Sequence, residues 1–305
     1  MPYVTVGKEN SADIKLHYED YGSGKPVVLI HGYPLSGRAW EKQVPVLIDA
    51  GYRVITYDRR GFGQSSQPWS GYNYDTFAED LHKLITALDL HDLTLVGHSM
   101  GGGETARYPG KYGTKDISKL VFISGIPPYL RQAPDNPDGL PGNIFDELKK
   151  QCAADRPAFL FQFCNLFFNY DVLKGKLVSE PDLYANWNVS VSASPKAAYD
   201  SIDSWGTDFR NDLKRIDVPA LVIQGDQDRI VPFPNSGKRM GEFIKGSKLV
   251  VVEGAPHGVA WTHADVVNRE LMNFLGKAAQ KPSEAARIAD VQQKKTGTGA
   301  GVRAS

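Results

Sequence analysis

The apolar run Leu93-Thr94-Leu95-Val96 ends in Gly97-His98-Ser99-Met100-Gly101 and continues through two more glycines. A G-x-S-x-G pattern set between a strand and a helix start belongs to a serine hydroxyl held out at a sharp turn, where it can attack an electrophilic carbon. The glycines are needed because a strained residue at so tight a turn leaves no space for Cβ atoms two positions on either side. Ser99 is therefore the candidate nucleophile. The free N–H groups and dipole of the helix that follows favour negative charge beside it.

A hydroxyl is a poor nucleophile until an imidazole takes its proton, and that imidazole needs a third group to fix its tautomer. Seven histidines are available. In chains with this turn the order is serine, acid, histidine, which leaves His257 and His263. His257 follows the run Lys248-Leu249-Val250-Val251-Val252 by the short loop Glu253-Gly254-Ala255-Pro256. That places it at the C-terminal end of a strand, where α/β sheets carry their sites. His263 precedes the last helical pattern and is expected to make local hydrogen bonds.

The acid is sought after the strand Ala220 to Gln224, in Gly225-Asp226-Gln227-Asp228-Arg229. Asp228 lies further into this loop and is the candidate that reaches the histidine, whereas Asp226 is expected to hold the turn through side-chain to backbone bonds. Ser124-Gly125-Ile126-Pro127, after the preceding strand, offers no carboxylate. His98 adjoins the nucleophile but points elsewhere at such a turn, and a structural role is expected for it. Val27-Val28-Leu29-Ile30-His31-Gly32-Tyr33-Pro34 ends a strand in a second turn. Pro34 has no N–H, so the backbone N–H groups of Tyr33 and Met100 are the expected oxyanion donors, with His31 fixing the loop. The glycine-rich stretch from Asp58 to Ser66 lacks both G-x-G-x-x-G spacing and a Walker lysine, and reads as a strand-to-helix turn.

These loops need a scaffold. Apolar, β-branched runs at Tyr3 to Val6, Ile14 to Glu19, Val27 to His31, Arg53 to Tyr57, Leu93 to Gly97, Lys119 to Ser124, Ala220 to Gln224 and Lys248 to Val252 predict eight strands. Helical spacing at Trp40 to Asp49, Thr76 to Leu88, Met100 to Tyr108 and Ala264 to Leu275 alternates with them, which predicts a mostly parallel α/β sheet flanked by helices. The first two strands have no helix between them and predict an antiparallel lead-in. Between Ile126 and Arg215 the alternation gives way to a segment rich in rings, among them Phe145, Phe159, Phe161, Phe163, Phe167, Phe168, Trp187 and Trp205. It reads as a helical cap whose rings mostly form its own core, a few of them lining a pocket. The expected units are a core of 1–125 and 216–280, a cap of 126–215, and a flexible polar tail of 281–305.

Thirty-five basic residues balance thirty-five acidic ones, and no Lys/Arg run is interleaved with aromatics, so a nucleic-acid partner is not expected. A small neutral or apolar ligand fits better. No apolar run reaches membrane-spanning or signal-peptide length, which predicts a soluble, cytoplasmic protein. Two cysteines, Cys152 and Cys164, are expected as free, buried thiols.

With the phrases His31-Gly32-Tyr33-Pro34-Leu35-Ser36-Gly37, Tyr57-Asp58-Arg59-Arg60-Gly61-Phe62-Gly63, Gly97-His98-Ser99-Met100-Gly101-Gly102-Gly103-Glu104 and Gly254-Ala255-Pro256-His257-Gly258, the chain resembles the α/β-hydrolase superfamily. Within it the chain is similar to the cofactor-free (non-haem) haloperoxidases and their relatives, the arylesterases and (+)-γ-lactamases. The likeness runs from about Tyr3 to Gly276. It implies hydrolysis of small esters or amides through an acyl-enzyme, with hydrogen peroxide able to replace water and a carboxylic acid able to serve as substrate. Peracid made in this way oxidises halide outside the site, so the resemblance implies no haem, metal or other cofactor. Related dehalogenases and epoxide hydrolases carry aspartate where this chain has Ser99.

One departure is Pro109, where relatives usually carry an aliphatic residue; it is expected to end or kink the nucleophile helix early. The ranking of esterase, lactamase and perhydrolase stays open, as does the oligomeric state, a homo-oligomer included. The competing class is a non-catalytic ligand-binding protein on the same fold. A histidine base must be neutral to accept a proton, so turnover of an activated ester is expected to fall below about pH 6 to 6.5. A rate profile that stays level to pH 4 would count against it.

Overall fold

In the computed structural model, which describes residues 2–276, the strands join into one sheet in the order β1-β2-β4-β3-β5-β6-β7-β8. They are β1 (Tyr3–Glu9), β2 (Ala12–Gly22), β3 (Pro26–Ile30), β4 (Arg53–Tyr57), β5 (Leu93–His98), β6 (Ile117–Ile123), β7 (Ala220–Gly225) and β8 (Lys248–Val252). β1 pairs antiparallel with β2 and β2 with β4, and every later pairing is parallel. The antiparallel lead-in is thus present. The expected tail lies outside the described residues.

Helices α1 (Val44–Asp49), α2 (Tyr74–Ala87) and α3 (Met100–Tyr112) follow β3, β4 and β5. Between β6 and β7 run α4 (Gly142–Ala154), α5 (Arg156–Phe168), α6 (Tyr170–Leu173), α7 (Glu180–Val191), α8 (Pro195–Ser204) and α9 (Arg210–Leu213). After β8 come α10 (Val259–Thr262) and α11 (Ala264–Leu275).

Every residue of β3, β5 and β7 is buried, as parallel strands covered on both faces require. Successive residues then point to opposite layers. Val28, Ile30, Leu95 and Phe122 pack with Phe77, Leu81 and Leu84 of α2. Val27, Leu29, Val96, Val121 and Ile223 pack on the other face with Leu47 of α1 and Val267 and Leu271 of α11. β3 has β4 on one side and β5 on the other, so the winding reverses there, and a crevice opens beyond the carboxyl ends of β3 and β5.

Several bounds differ from the sequence expectation. β2 extends beyond its apolar run because it is hydrogen-bonded on two sides, to β1 and to β4. The first helix, expected from Trp40, begins only at Val44, with a proline in its first turn, and Trp40 instead ends a 3-10 turn (Gly37–Trp40) whose N-cap Ser36 hydroxyl accepts from Arg38. Apolar spacing continues across both pieces and hides the break.

Pro109 does not end α3 early; the helix runs on to Tyr112. Its last turn finds other partners: Gly113 N donates to Pro109 O, and Arg215 Nη1 donates to Gly110 O at 2.6 Å.

Beneath the crevice, Glu104 of α3 forms a fully buried ion pair with Arg59, the second residue after β4, and accepts the hydroxyl of Tyr57. Burial pushes the Glu104 carboxyl up, opposed by the Arg59 guanidinium. Removing one member of such a pair strands the other charge, so Glu104→Ala is expected to lower stability by about 3–5 kcal/mol in chemical denaturation. A loss under about 1 kcal/mol, the scale of an exposed pair, would show that this pair does not hold α3 in place.

Candidate active site

Ser99 joins β5 to α3 at φ 54° and ψ −119°, in the left-handed region that side chains avoid. The turn is held by close approach of neighbouring backbone. A Cβ on Gly97 would stand 2.3 Å from Gly101 O, and one on Gly101 would stand 2.3 Å from Ile30 O at the end of β3. Ser99 N donates to Ile123 O and Gly102 N donates to Ser99 O, both at 2.9 Å.

Ser99 Oγ lies 2.8 Å from His257 Nε2, and His257 Nδ1 lies 2.8 Å from Asp228 Oδ2. A carboxylate only accepts, so Nδ1 carries the ring proton and Nε2 is left to accept from the serine hydroxyl. The side chains of His257 and Asp228 are fully buried. The other carboxylate oxygen of Asp228 accepts from Ile230 N at 3.0 Å and Val231 N at 2.8 Å. Gln224 Nε2 reaches Asp228 Oδ2 at 3.3 Å and Val231 O at 2.7 Å, while its Oε1 accepts from Gly237 N at 2.8 Å. Sequence reasoning passed over Gln224; the available signal was an amide standing in the otherwise apolar strand Ala220-Leu221-Val222-Ile223-Gln224.

The remaining candidates fall around this chain of bonds. Asp226 accepts from Gly254 N at 2.8 Å, so it braces the loop before His257 and not its own turn. His263 bonds locally to Thr262 Oγ1 at 2.9 Å. His31 Nδ1 donates to Gly32 O at 2.8 Å and its Nε2 accepts from Arg59 N at 2.9 Å. Burial holds this imidazole well below the ordinary histidine range, and hence neutral. Gly32 O also accepts from Leu35 N at 3.0 Å. The N–H of Tyr33 belongs to the same planar peptide and points the opposite way from that carbonyl.

Above Ser99 lies a cavity of about 210 Å³ walled by Tyr33, Phe145, Phe163, Trp205 and Ile230 among others. Apart from Ser99 and Arg229 its walls are aliphatic or aromatic. Arg229 pairs with Asp171 at 2.9 Å, and the Tyr33 hydroxyl is taken up by Ala198 O at 2.9 Å. Of the aromatic residues noted in the sequence, Phe145, Phe163 and Trp205 line the cavity, while Phe167 packs edge-on against His257 at 5.4 Å. Phe161 and Trp187 meet each other instead, at 5.6 Å. Among the described residues no group of three or more His, Cys, Asp or Glu side chains is placed to hold a metal ion.

An imidazole held in this way can take the proton of Ser99 Oγ as the oxygen adds to a carbonyl carbon, and can return it to a departing group.

Comparison with known proteins places this chain in a family. Residues 25–264 match the family model described as alpha/beta hydrolase fold. A chain from Synechocystis sp., provisionally named non-heme chloroperoxidase, is 56% identical over 275 residues, covering 90% of this chain and 100% of that one. The bifunctional esterase/perhydrolase of Acinetobacter calcoaceticus is 38% identical, over 90% of this chain and 99% of its own. The crystal structure of a bromoperoxidase from Bacillus anthracis superposes with a TM-score of 0.86 at 51% identity, covering 90% of this chain and 99% of that chain. The chain belongs to the alpha/beta hydrolase fold family, among the non-haem haloperoxidases and the esterases related to them.

Proposed function

We propose that the chain is a serine hydrolase of small esters with apolar acyl groups, working through an acyl-enzyme on Ser99, in which peroxide also serves as second nucleophile. The observation that carries this reading is the pair of 2.8 Å bonds on His257, one to Ser99 Oγ and one to Asp228, where Ser99 lines an apolar cavity.

Ser99 Oγ bonds to the ester carbonyl carbon while its proton passes to His257 Nε2, and Asp228 stabilises the imidazolium so formed. The carbonyl oxygen, now negative, is met by the N–H groups of Tyr33 and Met100; support comes from the peptide plane fixed by His31 and from the place of Met100 as first residue of α3. Collapse breaks the ester bond and the alcohol leaves with the proton from His257. Water or hydrogen peroxide then gives its proton to His257 and attacks the acyl carbon. The product is a carboxylic acid or a peracid, and Ser99 recovers its proton. The relative named esterase/perhydrolase supports the peroxide branch.

Residues 126–215 are read as a cap that supplies most of the apolar wall, over a core assigned to 1–125 and 216–280, of which 2–125 and 216–276 are described. No helix among the described residues is long and apolar enough to cross a membrane, and Cys152 and Cys164 are both buried and free; a cytoplasmic setting accords with two unpaired thiols.

Ser99→Ala is expected to abolish hydrolysis of an activated phenyl ester while leaving the thermal transition in place, and hydrolysis that persists would refute the assignment. Incubation with a fluorophosphonate followed by mass spectrometry should find the adduct on Ser99; a folded chain that stays unlabelled would favour the non-catalytic class. Asp228→Asn donates where a carboxylate accepted and so imposes the wrong tautomer on His257. Its kcat should fall by roughly 10³- to 10⁴-fold, with a drop under about tenfold counting against Asp228 as the orienting acid.

A further inference from the structure

Beside Ser99, the imidazole of His98 reaches the loop of His257 and not the cavity. It is buried, and its Nε2 lies 3.0 Å from the backbone carbonyl oxygen of His257. A carbonyl only accepts, so Nε2 carries the proton and donates. The opposite edge of the ring faces the turn after β3: a Cβ on Gly32 would stand 2.8 Å from His98 Nδ1 and 2.8 Å from Ser99 Cβ. Three segments that bear on the reaction therefore meet at one ring. They are the turn that carries Ser99, the loop that carries His257, and the loop that leads to Tyr33.

The ring has little freedom to leave. Its centroid is 5.0 Å from that of His257, 5.6 Å from Phe167 and 6.3 Å from Trp40. The residue after His257 is held from the other side, since Gly258 N donates to Phe167 O at 2.8 Å. The main chain at His257 is thus gripped by a hydrogen bond on each flank, one from His98 and one from α5.

We propose that His98 is a positioning residue, whose Nε2–H bond to the His257 carbonyl sets the reach between the base and the hydroxyl of Ser99. The inference rests on reading His257 as the base. Without that bond a buried carbonyl is left unsatisfied and the loop relaxes to find another donor. Displacements of the order of 1 Å in a reacting pair cost about 100-fold in rate. His98 also suits the later steps because it stays uncharged when its neighbour becomes an imidazolium; burial, with the His257 ring beside it, pushes its pKa down to about 3.

Three substitutions in the full-length chain test this with an activated phenyl ester. A glutamine amide nitrogen stands the same number of bonds from Cα as histidine Nε2, whereas an asparagine amide stops at the Nδ1 position. His98→Gln is expected to keep kcat within about fivefold of the parent. His98→Asn and His98→Leu should lose about 10- to 100-fold in kcat with KM within about threefold. The inference is overturned if His98→Leu keeps kcat within about threefold, if His98→Gln falls as far as His98→Leu, or if the losses appear in KM. Should His98→Leu fail to fold, the contrast between the glutamine and asparagine variants decides on the same criteria. Ser99→Ala is run alongside: turnover surviving there counts against the nucleophile itself, while an inactive Ser99→Ala beside a fully active His98→Leu sinks only the role of His98.

Discussion

A single imidazole bonded at both ring nitrogens sets the terms for the rest of the molecule. Ser99, Asp228 and His257 come from the ends of β5, β7 and β8, and β6 lies between the first two. Strands sit about 4.8 Å apart, so β5 and β7 are separated by roughly twice that distance. Bonds of 2.8 Å on either side of His257 exist only because its loop leans back across the sheet edge while the Asp228 loop rises to meet it. Asp226 and Gln224 supply that convergence. One braces the backbone before His257 and the other clamps Asp228 to its own strand.

The site is polar chemistry set into an apolar interior, which is affordable only where each buried group finds partners. Asp228 meets this with two backbone amides, one side-chain amide and one imidazole. His31 meets it with one carbonyl and one amide, a pattern that also fixes its tautomer. Arg59 meets it at Nε and Nη2, while its buried Nη1 has no hydrogen-bond partner among the described residues. Its guanidinium is shared between Glu104 of α3 and the carbonyl of His31, so one buried charge ties the helix after Ser99 to the turn after β3. A low dielectric strengthens the hydrogen bonds that a developing negative charge would meet, and the same low dielectric makes any member of this network costly to remove.

Much of this could be read from the chain alone. Strand ends followed by glycine, proline or aspartate gave the positions of Ser99, Asp228 and His257, because such loops break the apolar alternation sharply, and the structure brings the three side chains together. Gln224 escaped notice because its value lies in a register contact between β7 and the loop after it, which no spacing encodes. The cavity walls escaped for a different reason. Phe159, Phe163 and Phe167 share α5, yet only Phe163 reaches the cavity, and the choice depends on how the cap helices turn against one another. The expectation that Pro109 ends α3 failed because a missing N–H is a local fact, whereas the last turn of α3 is held by Arg215, distant in sequence.

Tyr33 lines the same cavity as Ser99, yet its hydroxyl is bonded to Ala198 of α8, and its ring is wedged against Trp205 at 4.8 Å. The wall of the cavity and the turn after β3 are thereby one mechanical unit. Moving α8 would therefore tug on Tyr33 and, through it, on the turn after β3.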